Sequence, residues 1–194
     1  MREFAERPGV AVVTGGTGGI GQTVCRTLAA RGSAVALTYR SDAGAAQRLV
    51  ADLTAAGVRA VADPVDLTDQ RAVTRHVTSV QERFGAIHTV VHAAGPHVPM
   101  VHLSTVSPAR YAAQLDQEAT AFFTLVHAAL PALRSSAGCV VAVTTAATSR
   151  FPVRDGLSSG TKGAVEALVR ALERVPWIMR VGCGRSLLCL IATT

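Results

Sequence analysis

Apolar residues along this chain come in two alternating rhythms. Short continuous runs such as "GVAVVTGG" (9–16), "AVALTYR" (34–40) and "AIHTVVHAAG" (86–95) carry almost no polar break and end at glycines or charged residues. Such runs predict strands buried on both faces. Between them, "GIGQTVCRTLAARG" (19–32), "DAGAAQRLVADLTAAG" (42–57) and "TDQRAVTRHVTSVQERFG" (68–85) repeat their apolar residues at helical spacing and close on glycine. Thr68 is the predicted N-cap of the third helix. "VRAVADPVDL" (58–67) and "GCVVAVTT" (138–145) complete a set of five strands. A long helix is predicted over 107–134, with Ser107 as N-cap and Pro108 in its first turn. A further helix is predicted over 156–172, around Lys162. This alternation predicts a doubly wound parallel sheet with helices on both faces and right-handed crossovers, as one domain spanning 1–194. The pattern degrades after Arg174. Pro176 should stop the last helix. "WIMRVGCGRSLLCLIATT" offers one more strand at most, so 175–194 reads as an atypical or truncated tail and the sheet as lacking its last strand or strands.

Composition narrows the class. The 194 residues are 49% hydrophobic and 16% charged, which supports a packed core and excludes a disordered chain. Aromatics make up 4%, so Ala, Val and Leu must fill that core. The formal charge of +6 fits a solvated basic surface, or an anionic small ligand such as a phosphate-bearing cofactor. The arginines are scattered with no aromatic-rich basic stripe, which argues against nucleic acid. Cys25 and Cys139 lie in apolar segments without C-x-x-C spacing and read as small buried hydrophobes. "MREFAERPGV" contains no signal-like apolar region, and no run has the length of a bilayer span. The expectation is a cytoplasmic protein with neither membrane nor nucleic-acid partner.

The chemistry begins at "VVTGGTGGIGQTV", where glycines stand between the first strand and the first helix. Gly16, Gly18 and Gly21 fit G-x-G-x-x-G, and Thr14-Gly15-x-x-x-Gly19-Ile20-Gly21 is the more specific pattern. Glycines permit close backbone approach, and the helix start offers free N–H groups and a positive dipole end to a pyrophosphate. The second strand ends in Tyr39-Arg40-Ser41-Asp42. Arg40 suits a 2′-phosphate, which favours NADP, while Asp42 leaves NAD open.

With these pieces in order, the chain resembles the short-chain dehydrogenase/reductase family over residues 9 to about 174. "TGGTGGIG" is similar to its TGxxxGIG loop, "VDLTD" to its adenine-contacting pair (here Asp66 and Leu67), and "VHAAG" to its N-N-A-G segment. The segments "FFTLVHAALPAL" and "SSGTKGAVEALVRAL" are also similar. The resemblance implies a Rossmann-like fold and NADP or NAD as cofactor. It implies a small carbonyl or alcohol substrate, with bacterial 3-oxoacyl-[acyl carrier protein] reductase-like members as the near comparison. It also implies cofactor-binding roles for Gly15, Thr17, Gly18, Gly19, Ile20, Gly21, Arg40, Ser41, Asp66, Leu67, Ala93, Ala94, Gly95 and Lys162. Relatives use the 107–134 helix and the Lys162 helix to form dimers and tetramers, so a homodimer or homotetramer is implied.

The family's catalytic set is only partly present. Lys162 matches the lysine of Tyr-x-x-x-Lys, but Ser158 stands where the tyrosine belongs. Thr145 replaces the catalytic serine. The supporting asparagine, aligned through Leu130-Pro131, falls on Glu118, which either pairs with Lys162 or reflects a helix register one turn off. A serine hydroxyl is a far weaker acid than a tyrosine beside a lysine, and general acid catalysis is worth ~10²–10⁴-fold. Lys162 itself, His97 and Asp155 are the alternative donors. His92, His97 and His102, spaced by five, do not make a compact metal-ligand set. In the tail, "IMRV" is faintly like the start of the family's sixth strand, and Gly182-Cys183-Gly184 is the nearest match to its Pro-Gly segment. Two functions follow: an NAD(P)-dependent oxidoreductase with Lys162, Thr145 and Ser158 at its reaction centre, or a catalytically impaired cofactor-binding pseudoenzyme or truncated product.

Overall fold

The computed structural model describes residues 4–173 and 180–183. Strand β1 (Val10–Thr14) is buried at every position. Beside it run β2 (Ala34–Tyr39) and β3 (Ala60–Pro64) on one side, and β4 (Ile87–His92), β5 (Cys139–Ala142) and β6 (Arg180–Cys183) on the other. All pairings are parallel and the order is β3-β2-β1-β4-β5-β6. The fold is the Rossmann-like doubly wound sheet the alternation predicts. β6 lies within the tail, so part of the segment expected to be atypical adds a regular edge strand. Residues 174–179 and 184–194, including Pro176, Gly184 and Cys189, lie outside the described residues.

The side-chain period of two along β1 explains the two cores. Val10 and Val12 join Ile87, Val90, Phe122 and Leu125 on one face of the sheet. Ala11 and Val13 join Val24, Leu28, Leu37 and Leu49 on the other. The second face is covered by α1 (Gly19–Ala30) and α2 (Ala43–Ala55). The first is covered by α3 (Gln70–Phe84), α5 (Ala121–Ser135) and α7 (Gly156–Glu173). Cys25 sits at 0% exposure in the second core, and burial pushes its thiol up to about 12, which makes it inert. Cys139 is only half-buried, as is Val141 two residues on, because the two share the less covered face of β5 while Val140 and Ala142 take the buried one.

Three local expectations need correction. Asp69, not Thr68, caps α3, accepting from the backbone N–H of Arg71 and Ala72. Thr68 is drawn instead into a turn by Asp66, whose carboxylate takes its N–H at 2.9 Å and its hydroxyl at 2.7 Å. The helix predicted over 107–134 is continuous in path but not in hydrogen bonding. It consists of α4 (Pro108–Leu115), one π turn (Asp116–Thr120) and α5. A single wide turn leaves little trace in apolar spacing, though such turns often mark functional sites. A short helix, α6 (Ala147–Arg150), follows β5 and was not expected. Ser107 does cap α4, with Pro108 in its first turn.

Candidate active site

The strand order reverses between β1 and β4, and a cleft of about 270 Å³ opens at the carboxyl ends of the strands there. A doubly wound sheet puts its ligand crevice at this point. Gly15, Thr17, Gly18, Arg40 and Ser41 line it from the β1 and β2 side. Asp66, Leu67, Ala93, Ala94 and Gly95 line it from the β3 and β4 side. These ten expected cofactor residues therefore share one cavity. Gly19, Ile20 and Gly21 form the first turn of α1 behind it.

The turn requires its glycines. Gly15 has φ +64°, and a Cβ on it would lie 2.7 Å from Ala94 Cα. A Cβ on Gly21 would lie 2.1 Å from Gly15 O. Helix α1 starts at Gly18 with no side-chain cap and no acidic residue in its first turn. By contrast, Asp42, Asp69 and Ser107 cap α2, α3 and α4. The N–H groups of α1 thus face the cleft without a built-in acceptor, which fits a pyrophosphate.

The end of β2 separates its two charged residues. Asp42 Oδ1 accepts from Ala45 N at 2.8 Å and caps α2, and Asp42 does not line the cleft. Arg40 is exposed and lines the cleft, and among the described residues it donates a long 3.5 Å bond to Gln117 Oε1. The two bonds from Thr68, with Arg40 nearby, hold the Asp66 carboxyl below its ordinary range. Gln117, in the π turn, also lines the cleft; only the folded chain reveals that contact.

At the other end, Lys162 projects from α7 and donates to Glu118 Oε1 at 2.7 Å and to Val143 O at 3.4 Å. Of the two readings of Glu118, the pairing with Lys162 is the one the structure adopts. Glu118 is at 0% exposure and its Oε2 has no hydrogen-bond partner. Burial pushes its carboxyl up, and the Lys162 ammonium pulls it part of the way back. A Cβ on Gly95 would lie 3.0 Å from Glu118 Oε1 and 3.6 Å from Lys162 Nζ, so the pair sits directly behind the cleft wall. His92 lies in the same buried region. Its Nδ1 is 3.1 Å from Thr14 Oγ1, and burial and the Lys162 charge push it down to about 3.

Ser158 is buried one turn before Lys162 on α7. Thr145 is half-buried after β5, and its Oγ1 accepts from Ala147 N at 3.3 Å. His97 is exposed on the loop after β4. Asp155 is half-buried just before α7.

The comparisons agree with this geometry. The profile of the short chain dehydrogenase family matches residues 9–177. The chain belongs to that family. Versicolorin reductase stcU of Emericella nidulans is 29% identical over 163 residues, covering 84% of this chain and 61% of that protein. 1-cyclohexenylcarbonyl-CoA reductase of Streptomyces collinus is 31% identical, covering 93% of this chain and 65% of that one. A short chain dehydrogenase from Burkholderia cenocepacia, solved in complex with NADP, superposes with a TM-score of 0.80 at 32% identity. That match covers 86% of this chain and 67% of the neighbour. The chain thus spans about three fifths to two thirds of the length of these short chain dehydrogenases. Among the described residues no helix is long and apolar enough to cross a membrane.

Proposed function

We propose that this chain is an NADP(H)-dependent oxidoreductase that reduces a small-molecule carbonyl, with Lys162 as the proton donor. The observation that carries the reading is the placement of Lys162 Nζ against the Gly95 wall of a cleft lined by Arg40 and the α1 start. NADPH bound there supplies a hydride to the carbonyl carbon. The residues of the chain do the rest. Gly15, Gly18 and the first turn of α1 would hold the pyrophosphate, and Arg40 and Ser41 would hold the 2′-phosphate. Thr145 and Ser158 hydroxyls orient the carbonyl oxygen. That oxygen takes one proton from the Lys162 ammonium, and the amine regains one from solvent through the cleft. The neighbour solved with NADP supports the choice of cofactor.

For the substrate we favour an apolar carbonyl such as a 3-oxoacyl thioester. Met100, Leu103, Phe151 and Val153 are exposed on the two segments that follow β4 and β5. Those segments meet where Leu103 lies 3.2 Å from a Cβ built on Gly156. The thioester named for the Streptomyces collinus relative is in keeping with this. A soluble cytoplasmic homodimer or homotetramer, using α5 and α7, is part of the same reading.

A second reading is a cofactor-binding pseudoenzyme. It is favoured by Ser158 in the tyrosine position and by the 2.7 Å bond that occupies Lys162. The two separate by following NADPH absorbance over a carbonyl panel that includes a 3-oxoacyl thioester, with the unmodified chain and Ser158→Tyr. Turnover by the unmodified chain supports the reductase. NADPH binding without turnover, with activity gained by Ser158→Tyr, supports the pseudoenzyme; that gain should be ~10²–10⁴-fold.

A further inference from the structure

Lys162 is the only lysine in the chain; the rest of its 19 Lys and Arg residues are arginines. Its ammonium is mostly buried, with 17% of the side chain exposed, and its partner carboxylate is fully buried. A charge in such a place needs an opposite charge held at fixed distance. The fold supplies one from an unusual position. Glu118 lies in the middle of the π turn between α4 and α5, where the wider winding changes the direction of a side chain relative to a continuous α-helix.

The other groups around Lys162 do not compete with Glu118 for this role. His92 is held neutral, because burial and the neighbouring ammonium both penalise its charged form. Val143 offers a carbonyl oxygen at 3.4 Å, a long contact. Thr14 Oγ1 accepts from Ala94 N at 3.3 Å and lies 3.1 Å from His92 Nδ1, so that end of the ring is engaged with Thr14. His92 Nε2 and Glu118 Oε2 are both buried and have no hydrogen-bond partner among the described residues. Glu118 is thus the one anion bound to Lys162 among the described residues.

We propose that Glu118 is a positioning residue which holds the chain's only ε-amine in place against the cleft wall at Gly95. The family's asparagine position has here become the counter-charge of the lysine. This rests on the proposed reductase reading only for its catalytic meaning. The holding itself concerns the protein alone. In the reductase, the fixed ammonium is what replaces the missing tyrosine as proton source. Losing Glu118 would lower kcat more than it raises KM for the carbonyl.

The test uses the single ε-amine as a reporter. Acylation of Lys162 by an amine-specific reagent at pH 8 is followed by peptide mass spectrometry in the unmodified chain, Glu118→Gln, Glu118→Asp and Gly95→Ala. Melting curves show which variants are folded. Removing the carboxylate that engages Nζ at 2.7 Å should raise the acylation rate about tenfold in Glu118→Gln, the worth of one lost charge-assisted hydrogen bond. Glu118→Asp, which keeps the charge, should restore most of the slow rate. If Glu118→Gln does not fold, Gly95→Ala gives the answer. Its methyl group would lie 3.0 Å from Oε1, so the carboxylate must shift and lengthen its bond to Lys162 Nζ, and the rate should rise there as well, by less than in Glu118→Gln. A folded Glu118→Gln, or a folded Gly95→Ala in its stead, that reacts at the unmodified rate overturns the proposal. Faster acylation with no NADPH oxidation by the unmodified chain would leave the positioning role standing and the reductase reading lost. NADPH oxidation with unchanged acylation would do the reverse.

Discussion

The two ends of the cleft are built to different standards of family likeness. At the end lined by the α1 start and Arg40, the glycines and the cation follow the expected phosphate-binding pattern. The α1 start is uncapped, its turn is glycine-bound, and Arg40 is available while Asp42 is used elsewhere. At the reaction end, Lys162 is retained, but Ser158, Thr145 and Glu118 surround it. The nucleotide end depends on backbone shape, which admits few substitutions. The reaction end depends on side-chain acidity, which a single substitution can remove while the fold persists. On the proposed reading, dinucleotide binding and turnover rest on different groups of this chain, and each can be pressed on independently.

The largest effect is expected from the glycine turn. Gly21→Ala forces a Cβ to within 2.1 Å of Gly15 O, so the turn must open. NADPH affinity, read by fluorescence titration, should fall by at least ~100-fold, comparable to losing two or more charge-assisted hydrogen bonds. Retained affinity would break the claim that backbone shape governs that end.

Acid stability comes next and probes the buried polar groups. His88 is pushed down to about 4 and His92 to about 3, in both cases chiefly by burial. Unfolded, each titrates near 6.5, so below that pH the unfolded chain binds protons the fold does not. Stability is fully present above pH 6.5 and is lost as pH falls toward the folded values, at roughly 1.4 kcal/mol per unit for each histidine. Glu118 works in the opposite direction. Its folded value is raised, so its contribution declines as pH rises from about 4.5 through the folded value. His76 is pushed down by burial as well, so urea midpoints from pH 7 to 4.5 should show the net fall, and His92→Asn should remove one of three histidine contributions to it. A flat profile would mean these groups are solvated.

Arg40→Ala sharpens the nucleotide end further. NADPH affinity should fall ~10–100-fold, the worth of a charge-assisted phosphate contact, with NADH affinity little changed. Equal losses for both nucleotides would place Arg40 away from the 2′-phosphate. The smallest effect is a control on the reaction-end helix. Gly163 in α7 has nothing within 4 Å of a built Cβ, so Gly163→Ala should stabilise by about 0.5–1 kcal/mol. A shift in melting temperature without any change in NADPH affinity is the expected readout.

Much of this architecture was legible before any fold was known. Buried strands, glycine-closed helices and the loop after β1 are signalled locally, by runs of Val and Ala and by glycines at fixed offsets. The ten residues brought to one cleft follow from the resemblance to the family's segments, with only the glycine turn and Arg40 legible from residue chemistry alone. The N-cap of α3 was misplaced by one residue, because Thr68 and Asp69 are both good caps and only the competition of Asp66 for Thr68 separates them. The π turn was invisible, since one extra residue in a turn barely disturbs apolar spacing across 107–134.

The sequence by itself determined the βα alternation, the phosphate turn and the absence of a tyrosine four residues before Lys162, because these are written in neighbouring residues. Only the tertiary structure decided that Asp42 serves a helix and leaves Arg40 to the cleft. Only it decided that Glu118, 44 residues from Lys162, closes on it at 2.7 Å. Such pairings arise from sheet order and helix packing, which bring distant side chains to one point in a medium where an unpaired charge is costly.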